Sequence, residues 1–468
     1  MSPPLLAALE QIVGASYVKA DAESLDHYGH DALNRGHPPD VVVLPGSAAD
    51  ISAIARLCDQ SRTPLVVRGG GTGYTGGSVP TRGGVVLSCE RLNRILEIDE
   101  LNLLAVVEPN VVTGDLQDAV ERVGLFYPPD PASLRQSVIG GNVAECAGGP
   151  RAFKYGTTKR YVLGLEAVLP TGEIVRTGSK AVKNVVGYDL TQLLVGSEGT
   201  LAILTQIILR LIPKPEVQAT LRATFRDIGA AVDAVSALLR ARVIPAALEI
   251  IDHDCLEAVV SYLGAPLAPP GTGALLLLEV DGVPGSVRDE ADRVADACRS
   301  AGATEILRAG TEAERQELWR VRRELSLSLK VIAKLKINHD VVVPRGRVPQ
   351  LFELVSGLRS QFGLRIPCFG HAGDGNIHVN VMLNPDDPAE VARARQAERL
   401  LFEGVVGLEG SISGEHGIGF AKAPFIALEL SPEEIALMKR VKQAFDPRGI
   451  LNPGKIFPDD DRDRPQRR

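Results

Sequence analysis

Three glycine-rich segments in the first 214 residues, each predicted to form a loop, constrain the fold more than any other feature of this chain. They read RGGGTGYTGGS at 68–78, IGGNVAECAGG at 139–149 and GSEGTL at 196–201, each beside a short β-branched run of the kind that forms a strand. Glycines tolerate positive φ and let backbone N–H groups approach an anion. We therefore expect the three segments to wrap one long ligand with a pyrophosphate and a planar ring. Plain turns between strands are the alternative.

The first segment formally contains a dinucleotide fingerprint, because Gly71, Gly73 and Gly76 match G-x-G-x-x-G. In a Rossmann fold that motif opens a helix. Here it continues into SVPTRGG and another strand-like run. The sequence therefore argues against a Rossmann fold and against a nicotinamide cofactor.

The chain of 468 residues is too long for one ordinary core, so two or three domains are expected. Strand-like runs dominate up to the proline-rich boundary IPKPE at 212–216. Strands and helices alternate after it, with helices predicted at 228–241, 284–300, 311–332 and 348–361. This pattern indicates an α+β class, with an antiparallel sheet carrying helices on one face. A helix from 431 precedes DPRGILNPGKIF, which cannot be helical.

Charge and cysteine content exclude several classes of protein. The net charge of −7 and the aromatic content of 4% disfavour a nucleic-acid partner. The six cysteines are dispersed without a C-x-x-C pair, which disfavours an iron–sulfur cluster or zinc ribbon within the chain and fits a reducing compartment. No apolar run is long enough to span a bilayer, and the expected location is the cytoplasm.

A cluster of histidine and carboxylate residues lies between 371 and 416. His371 and His378 occur in GHAGDGNIHVNV, and Glu415 and His416 in SGEHG. Two imidazoles and a carboxylate with open coordination positions suit Zn²⁺, Mn²⁺ or Fe²⁺. The pattern therefore predicts a metal site formed by His371, His378 and Glu415. The alternative is that these are loop histidines with ordinary hydrogen bonds.

The three glycine segments, together with DPAS at 130–133, KNVVGYDLTQLLVGSEGT at 183–200 and DPRGILNPGK near the end, resemble the FAD-linked oxidases of the vanillyl-alcohol oxidase / p-cresol methylhydroxylase (PCMH) type. Within that type, the resemblance is greatest to the group that contains the glycolate oxidase flavin subunit and the D-lactate and D-2-hydroxyglutarate dehydrogenases. The resemblance covers about residues 25–457. It implies a PCMH-type FAD-binding domain at 1–214, a ferredoxin-like α+β cap domain at 215–425, a C-terminal segment at 426–457 that returns to the flavin, and a disordered tail at 458–468.

The resemblance also implies which residues bind FAD. Gly70–Thr75 with Gly76 and Gly77 would cradle the pyrophosphate, and Asn452 would approach the flavin ring. The full set of expected FAD-binding residues is Arg68, Gly69, Gly70, Gly71, Thr72, Gly73, Tyr74, Thr75, Gly76, Gly77, Ser78, Pro131, Ala132, Ser133, Gly140, Gly141, Asn142, Gly148, Gly149, Tyr155, Gly156, Glu198, Gly199, Thr200, Ile203 and Asn452. Relatives that tether FAD covalently often carry a histidine in the first segment, and none is present here, so noncovalent FAD is expected.

By the same resemblance, the metal ligands are His371, His378 and Glu415, with Asn380 near the substrate. His416 is expected to be the general base, with a metal-ligand or supporting role as the alternative. Arg322 is expected to bind the substrate carboxylate bidentately. Ser326 and Lys336 are expected to assist it, and Lys334 is an alternative to Lys336.

The expected reaction is oxidation of a short D-2-hydroxy acid, of the glycolate or D-lactate type, to the 2-oxo acid, with hydride passing to flavin N5. D-2-hydroxyglutarate is the alternative substrate. Two other classes remain open, a zinc hydrolase and a flavin-binding electron-transfer subunit without turnover of its own. The expected electron acceptor is a quinone or another protein, either a separate iron–sulfur subunit or an electron-transfer flavoprotein. A homodimer is compatible with the sequence.

Overall fold

The computed structural model describes residues 2–264 and 268–458. The predicted disordered tail, apart from Pro458, lies outside these ranges. The described residues divide into two compact units. The first takes 2–148, 157–214 and 415–458, and the second takes 149–156 and 215–414, less the three undescribed positions. Within the described ranges, no helix has both the length and the apolar character needed to cross a membrane.

The elements are numbered along the chain. The strands of the described residues are β1 (Val18–Lys19), β2 (Val41–Val43), β3 (Leu65–Arg68), β4 (Val85–Ser88), β5 (Ile95–Asp99), β6 (Leu104–Val107), β7 (Leu125–Phe126), β8 (Val162–Val168), β9 (Ile174–Gly178), β10 (Ile203–Arg210), β11 (Ile212–Pro213), β12 (Val217–Phe225), β13 (Ala247–Asp252), β14 (Ala274–Gly282), β15 (Glu305–Arg308), β16 (Leu335–Val342), β17 (Cys368–His371) and β18 (Asn376–Leu383). The α-helices are α1 (Pro3–Val13), α2 (Ala22–Tyr28), α3 (Ala48–Ser61), α4 (Thr113–Glu121), α5 (Ile139–Glu145), α6 (Ala152–Tyr155), α7 (Leu190–Leu194), α8 (Ile228–Arg240), α9 (His253–Leu263), α10 (Pro284–Ser300), α11 (Glu312–Ser328), α12 (Val348–Phe362), α13 (Pro388–Gly407), α14 (Ile426–Glu429) and α15 (Pro432–Phe445).

The first unit contains two larger sheets. One has the order β1-β2-β4-β3 and includes the parallel pairs β2–β4 and β3–β4. The other is antiparallel, with the order β5-β6-β10-β8-β9. The core of the first sheet packs Val41, Val43, Val85 and Leu87 against helix α3. The first glycine segment begins where β3 ends, at Arg68.

The second unit is built on one antiparallel sheet of seven strands, in the order β15-β12-β14-β13-β17-β18-β16. Every residue of β13 is buried, as is every residue of β14 before Gly282. Because neighbouring strand residues point to opposite faces, both faces of this sheet are covered. The prediction of an antiparallel sheet agrees with this architecture, but the prediction of cover on one face alone is wrong.

Helix α11 forms one part of that cover. It begins with a capping box, in which the Thr311 hydroxyl accepts from the Glu314 N–H and the Glu314 carboxylate accepts from the Thr311 N–H. Val321 and Leu325 of this helix pack with Ile251 in the same hydrophobic cluster. The α-helix ends at Ser328, earlier than the predicted 332, and a short 3₁₀ turn follows it.

Candidate functional site

Two glycines of the first glycine segment lie so close to other residues of the first unit that a side chain would not fit there. A Cβ at Gly70 would lie 2.6 Å from the Gln136 carbonyl oxygen. Gly76 has φ +78°, and a Cβ there would lie 2.0 Å from the Phe420 ring. The segment therefore presents backbone at these positions, as a phosphate cradle requires.

His416 packs on the same segment within the first unit. Its ring stacks on Tyr74 with centroids 5.1 Å apart, and its carbonyl oxygen accepts a hydrogen bond from the Thr75 hydroxyl at 3.0 Å. The side chain of His416 is 16% exposed. The imidazole is thus held against the predicted pyrophosphate segment and is partly exposed.

The second glycine segment is helical over Ile139–Glu145, whereas the sequence predicts a loop there. Gly140 permits the helix to touch Pro109, because a Cβ would lie 2.5 Å from the Pro109 Cβ. The buried amide of Asn142 donates to the Thr113 hydroxyl at 2.7 Å. Tertiary packing therefore overrides the low helix propensity of glycine here. Asn142 itself holds the helix in place.

Gly148 follows that helix and lies beside a candidate metal ligand. A Cβ at Gly148 would be 2.7 Å from Glu415 Oε2. Both residues belong to the first unit. The predicted FAD-binding positions Gly149, Tyr155 and Gly156 belong instead to the second unit, where the Tyr155 hydroxyl donates to Asp281 at 2.8 Å.

The third glycine segment is tied to the first by Asn452. The Asn452 amide donates to the carbonyl oxygens of Gly77 and Glu198, each at 2.8 Å. The buried Glu198 carboxylate accepts the N–H groups of Ile418 and Gly419 at 2.7 and 2.6 Å. Asn452 and Glu198 both adopt positive φ. The residues predicted around one ligand at 68–78, 196–201 and 452 are thus joined within the first unit.

The donor chemistry of this part of the first unit fits an FAD pyrophosphate. The segment 68–78 contains six glycines, the cation Arg68 and no acidic residue. Glycine N–H groups and a nearby cation are the groups that bind phosphate oxygens. Arg68 is buried and donates to the His30 carbonyl oxygen.

The two predicted metal-binding histidines lie at the hairpin of β17 and β18 in the second unit. His371 is the last residue of β17, and His378 lies within β18. Their ring centroids are 5.4 Å apart, and both side chains are buried. The short hairpin aligns the two imidazoles on adjacent strands.

Glu415 is the residue that follows Gly414, where the second unit ends. The buried Asp340 fixes this chain segment, because its carboxylate and its carbonyl oxygen accept from the Gly414 N–H at 3.0 and 2.9 Å. One ligand atom from each of His371, His378 and Glu415 lies within 4.8 Å of the others. Two imidazole nitrogens and a carboxylate oxygen at these separations fit a divalent transition metal.

Glu249 joins two of the predicted functional residues, and the sequence analysis missed it. This carboxylate has no exposed surface. Its Oε1 lies 2.5 Å from His371 Nδ1, and its Oε2 accepts from Arg322 Nε. Burial raises the pKa of Glu249, but the charge of Arg322 and the hydrogen bonds to Arg322 and His371 outweigh burial and lower that pKa to about 2. The signal in the sequence is an acidic residue inside the apolar strand ALEIID.

Arg322, Ser326 and Lys336 all lie in the second unit. Arg322 is buried, and its guanidinium lies 4.9 Å from the Phe369 ring centroid. Lys336 Nζ donates to the Ser326 hydroxyl at 2.5 Å, and burial lowers the pKa of Lys336 to about 8. The alternative residue, Lys334, pairs with Asp386 at the surface.

Asn380, predicted near the substrate, has no exposed surface. Its amide nitrogen donates to the carbonyl oxygens of Pro367 and His378, and its Oδ1 accepts from Asn338. These bonds link β18 to its neighbours beside His378. In this structure Asn380 holds the strand that carries a candidate metal ligand.

Comparison with known proteins identifies a flavin-dependent oxidoreductase. The chain matches the FAD binding domain family at residues 39–178 and the family described as FAD linked oxidases, C-terminal domain, at residues 214–456. The chain belongs to the FAD-linked oxidases, which confirms the resemblance stated from the sequence. It is an oxidoreductase that acts on CH–OH substrates.

Two curated relatives and one solved structure illustrate the relationship. Glycolate oxidase subunit GlcD of Bacillus subtilis (strain 168) is 44% identical over 93% of this chain and 93% of its own length. D-lactate dehydrogenase of Anaerostipes hadrus is 34% identical over 97% of this chain and 98% of its own. The structure of p-cresol methylhydroxylase superposes with a TM-score of 0.82 at 19% identity, covering 98% of each chain, and supports the fold alone.

Proposed function

We propose that this protein oxidises a short D-2-hydroxy acid, of the glycolate or D-lactate type, to the 2-oxo acid, with metal assistance and noncovalent FAD. The observation that carries the proposal is the grouping of His371, His378 and Glu415 within 4.8 Å, with Glu415 beside Gly148 of the second glycine segment. The names of the relatives, glycolate oxidase subunit and D-lactate dehydrogenase, favour this substrate class.

We assign substrate binding to Arg322 and Lys336, two cations of the second unit. Arg322 pairs with the substrate carboxylate, since a guanidinium offers two parallel donors to a carboxylate. Lys336 adds a second positive charge while it is protonated, and Ser326 orients its ammonium group. Asn380 keeps β18, and with it His378, in register.

His416 accepts the proton of the substrate hydroxyl. A neutral imidazole is suited to this step near neutral pH, and stacking on Tyr74 keeps the ring in place. Bound FAD supplies the acceptor for the hydride that leaves the α-carbon. A divalent cation held by His371, His378 and Glu415 supplies Lewis acidity that makes the hydroxyl proton easier to remove.

Electrons leave the protein through a partner protein or a quinone. The six cysteines are dispersed without a C-x-x-C pair, so the usual ligand spacing of an iron–sulfur cluster is missing from this sequence. The relative in Bacillus subtilis is named as a subunit, which favours a protein partner. We expect noncovalent FAD, because relatives that tether it covalently often carry a histidine in the first glycine segment and residues 68–78 contain none.

The test is anaerobic stopped-flow reduction of the bound flavin by glycolate, D-lactate, L-lactate and D-2-hydroxyglutarate. We expect rapid bleaching by D-lactate or glycolate and slow bleaching by L-lactate. Flavin reduction by none of these acids, or preferential reduction by L-lactate, would overturn the proposal.

The same stopped-flow assay tests whether His416 is the general base. His416→Ala should retain FAD but reduce the rate of flavin bleaching by about 10²-fold or more. His37→Ala is the matched control, because His37 is an exposed histidine that no step uses. An unchanged bleaching rate in His416→Ala would show that another group accepts the proton.

A further inference from the structure

Glu249 is a charged residue in a strand where every neighbour is buried. It lies in β13, between β14 and β17 in the sheet of the second unit, and has no exposed surface. Burying a carboxylate is costly unless the charge is paired and hydrogen-bonded. Each oxygen of Glu249 has one such partner. Burial of the Glu249 carboxylate therefore costs free energy, and the packing of the sheet does not explain why a carboxylate occupies this position.

The proposed function assigns different roles to the two hydrogen-bond partners of Glu249. Oε1 lies 2.5 Å from Nδ1 of His371, a candidate metal ligand, and Oε2 accepts from Nε of Arg322, the residue proposed to bind the substrate carboxylate. Because a single rigid carboxylate joins them, rotation of either partner would disturb the other.

The contact with His371 determines which ring nitrogen can face a cation. An ionised carboxylate can only accept, so Nδ1 must carry the proton and donate it. In the neutral imidazole the lone pair of His371 is then on Nε2, as a metal ligand requires. The contact with Arg322 engages Nε and leaves bidentate pairing to the two Nη groups, while the Phe369 ring lies 4.9 Å from the guanidinium carbon.

We propose that Glu249 is a positioning residue that orients both the metal-binding imidazole of His371 and the substrate-binding guanidinium of Arg322. The inference rests on the proposed function, which assigns those two tasks. It adds that metal affinity and affinity for the substrate carboxylate are coupled through one side chain. Loss of the Glu249 charge should therefore weaken both.

The chain offers a matched control in Glu279 on the neighbouring strand β14. Glu279 is 1% exposed and accepts hydrogen bonds from Thr220, Trp319 and, at 3.4 Å, Arg315. It is thus a buried carboxylate on the same sheet, also paired with an arginine, but with no histidine among these partners. Glu279→Gln measures the general effect of neutralising a buried glutamate in this unit.

The experiment uses FAD-loaded wild-type enzyme and the variants Glu249→Gln, Glu249→Asp and Glu279→Gln. Each is stripped by a chelator and titrated with Zn²⁺ in competition with a chromogenic chelator. Flavin absorbance records FAD content, and KM and kcat are measured with D-lactate after Zn²⁺ is restored. Thermal unfolding of each variant measures the structural effect separately.

In Glu249→Gln we expect Zn²⁺ affinity to fall about 10- to 100-fold, with a higher KM and retained FAD. Glu249→Asp keeps the charge but is one methylene shorter, so we expect a smaller fall in Zn²⁺ affinity. If Glu249→Gln does not fold, the Zn²⁺ affinity of Glu249→Asp tests the inference. Glu279→Gln should lower the melting temperature but keep the wild-type affinity for Zn²⁺.

Wild-type Zn²⁺ affinity in both Glu249 variants would overturn the inference and leave the proposed function standing. An equal loss in Glu279→Gln would also overturn it, since the effect would then be general. Wild-type enzyme that binds no Zn²⁺ would overturn the inference together with the metal role. Zn²⁺ binding without flavin reduction by any hydroxy acid would overturn the proposed function, while the affinity comparison would still decide the role of Glu249.

Discussion

The half-buried Lys336 gives the second unit a residue whose charge depends on pH. A lysine ammonium loses its proton more readily in a poorly solvated position, whereas a guanidinium stays charged. Burial lowers the pKa of Lys336 to about 8, within the range in which enzymes are assayed.

We predict that KM for the hydroxy acid rises above about pH 8 because Lys336 loses its positive charge. Below that pH the ammonium is protonated and attracts the substrate carboxylate. Above it, KM should rise up to about tenfold per pH unit, as for a single ionisation. Measurement of kcat and KM from pH 6.5 to 9.5 tests this, and Lys336→Arg should remove the rise.

Lys334→Met is the control for that prediction. Lys334 is 68% exposed and pairs with Asp386, so its removal should leave the pH profile unchanged. A wild-type KM that stays flat to pH 9.5 would contradict the assigned role of Lys336.

At the level of elements, the glycine segments depend on contacts between distant parts of the chain. Gly76 combines a positive φ with contact against Phe420, which is more than 300 residues away in sequence. Asn452 similarly joins the first and third segments through carbonyl oxygens. The shape of the predicted FAD-binding region is therefore set by tertiary packing as well as by local turn chemistry.

We predict that Gly76→Ala lowers stability and FAD content together. An alanine at positive φ costs roughly 1–2 kcal/mol, and its Cβ would lie 2.0 Å from the Phe420 ring. Thermal unfolding and flavin absorbance of purified protein provide the measurement.

Gly124→Ala separates the two causes. Gly124 has φ +75°, but no atom lies within 4 Å of the place that a Cβ would take, so this variant should show the backbone strain alone. If Gly76→Ala retains full FAD and is no less stable than Gly124→Ala, the first segment does not need this close approach.

Periodicity in the sequence predicted the strands of the second unit well, but it could not predict contacts between them. Strands and helices alternate along the second unit, as the sequence predicts, because apolar runs recur between turns. No helix is predicted at α13, since two of its five buried residues are alanines, which give little contrast with polar neighbours. The segment at 139–145 was predicted as a loop from its glycines, although contact with Pro109 makes it a helix.

The residues of the candidate site also differ in whether the sequence alone could bring them together. The pattern H-x6-H followed by Glu415 predicted a group that lies within 4.8 Å in the structure. Glu249 could not be paired with His371 from the sequence, because 122 positions separate them. An isolated acid in an apolar strand marks a buried charge, but only the strand order brings it beside β17.

On the scale of the whole molecule, the chain is a member of the FAD-linked oxidases throughout most of its length. The match to the FAD binding domain family, at residues 39–178, lies in the first unit apart from residues 149–156. The candidate histidine ligands belong to the second unit. The short segment 149–156 belongs to the second unit although it lies inside the first in sequence. Local sequence patterns do not reveal such an excursion of the chain. The domain limits proposed from the sequence at 214 and 425 stay predictions.

The central claim is that a divalent cation bound by His371, His378 and Glu415 assists oxidation of a D-2-hydroxy acid by FAD. The most direct measurement is the rate of flavin reduction by D-lactate in enzyme as purified, after chelation, and after addition of Zn²⁺ or Mn²⁺, with FAD content recorded at each stage. We expect chelation to lower the rate at least about tenfold and the added metal to restore it, with FAD retained throughout. A rate that chelation leaves unchanged, in protein shown to be free of metal, would contradict the claim.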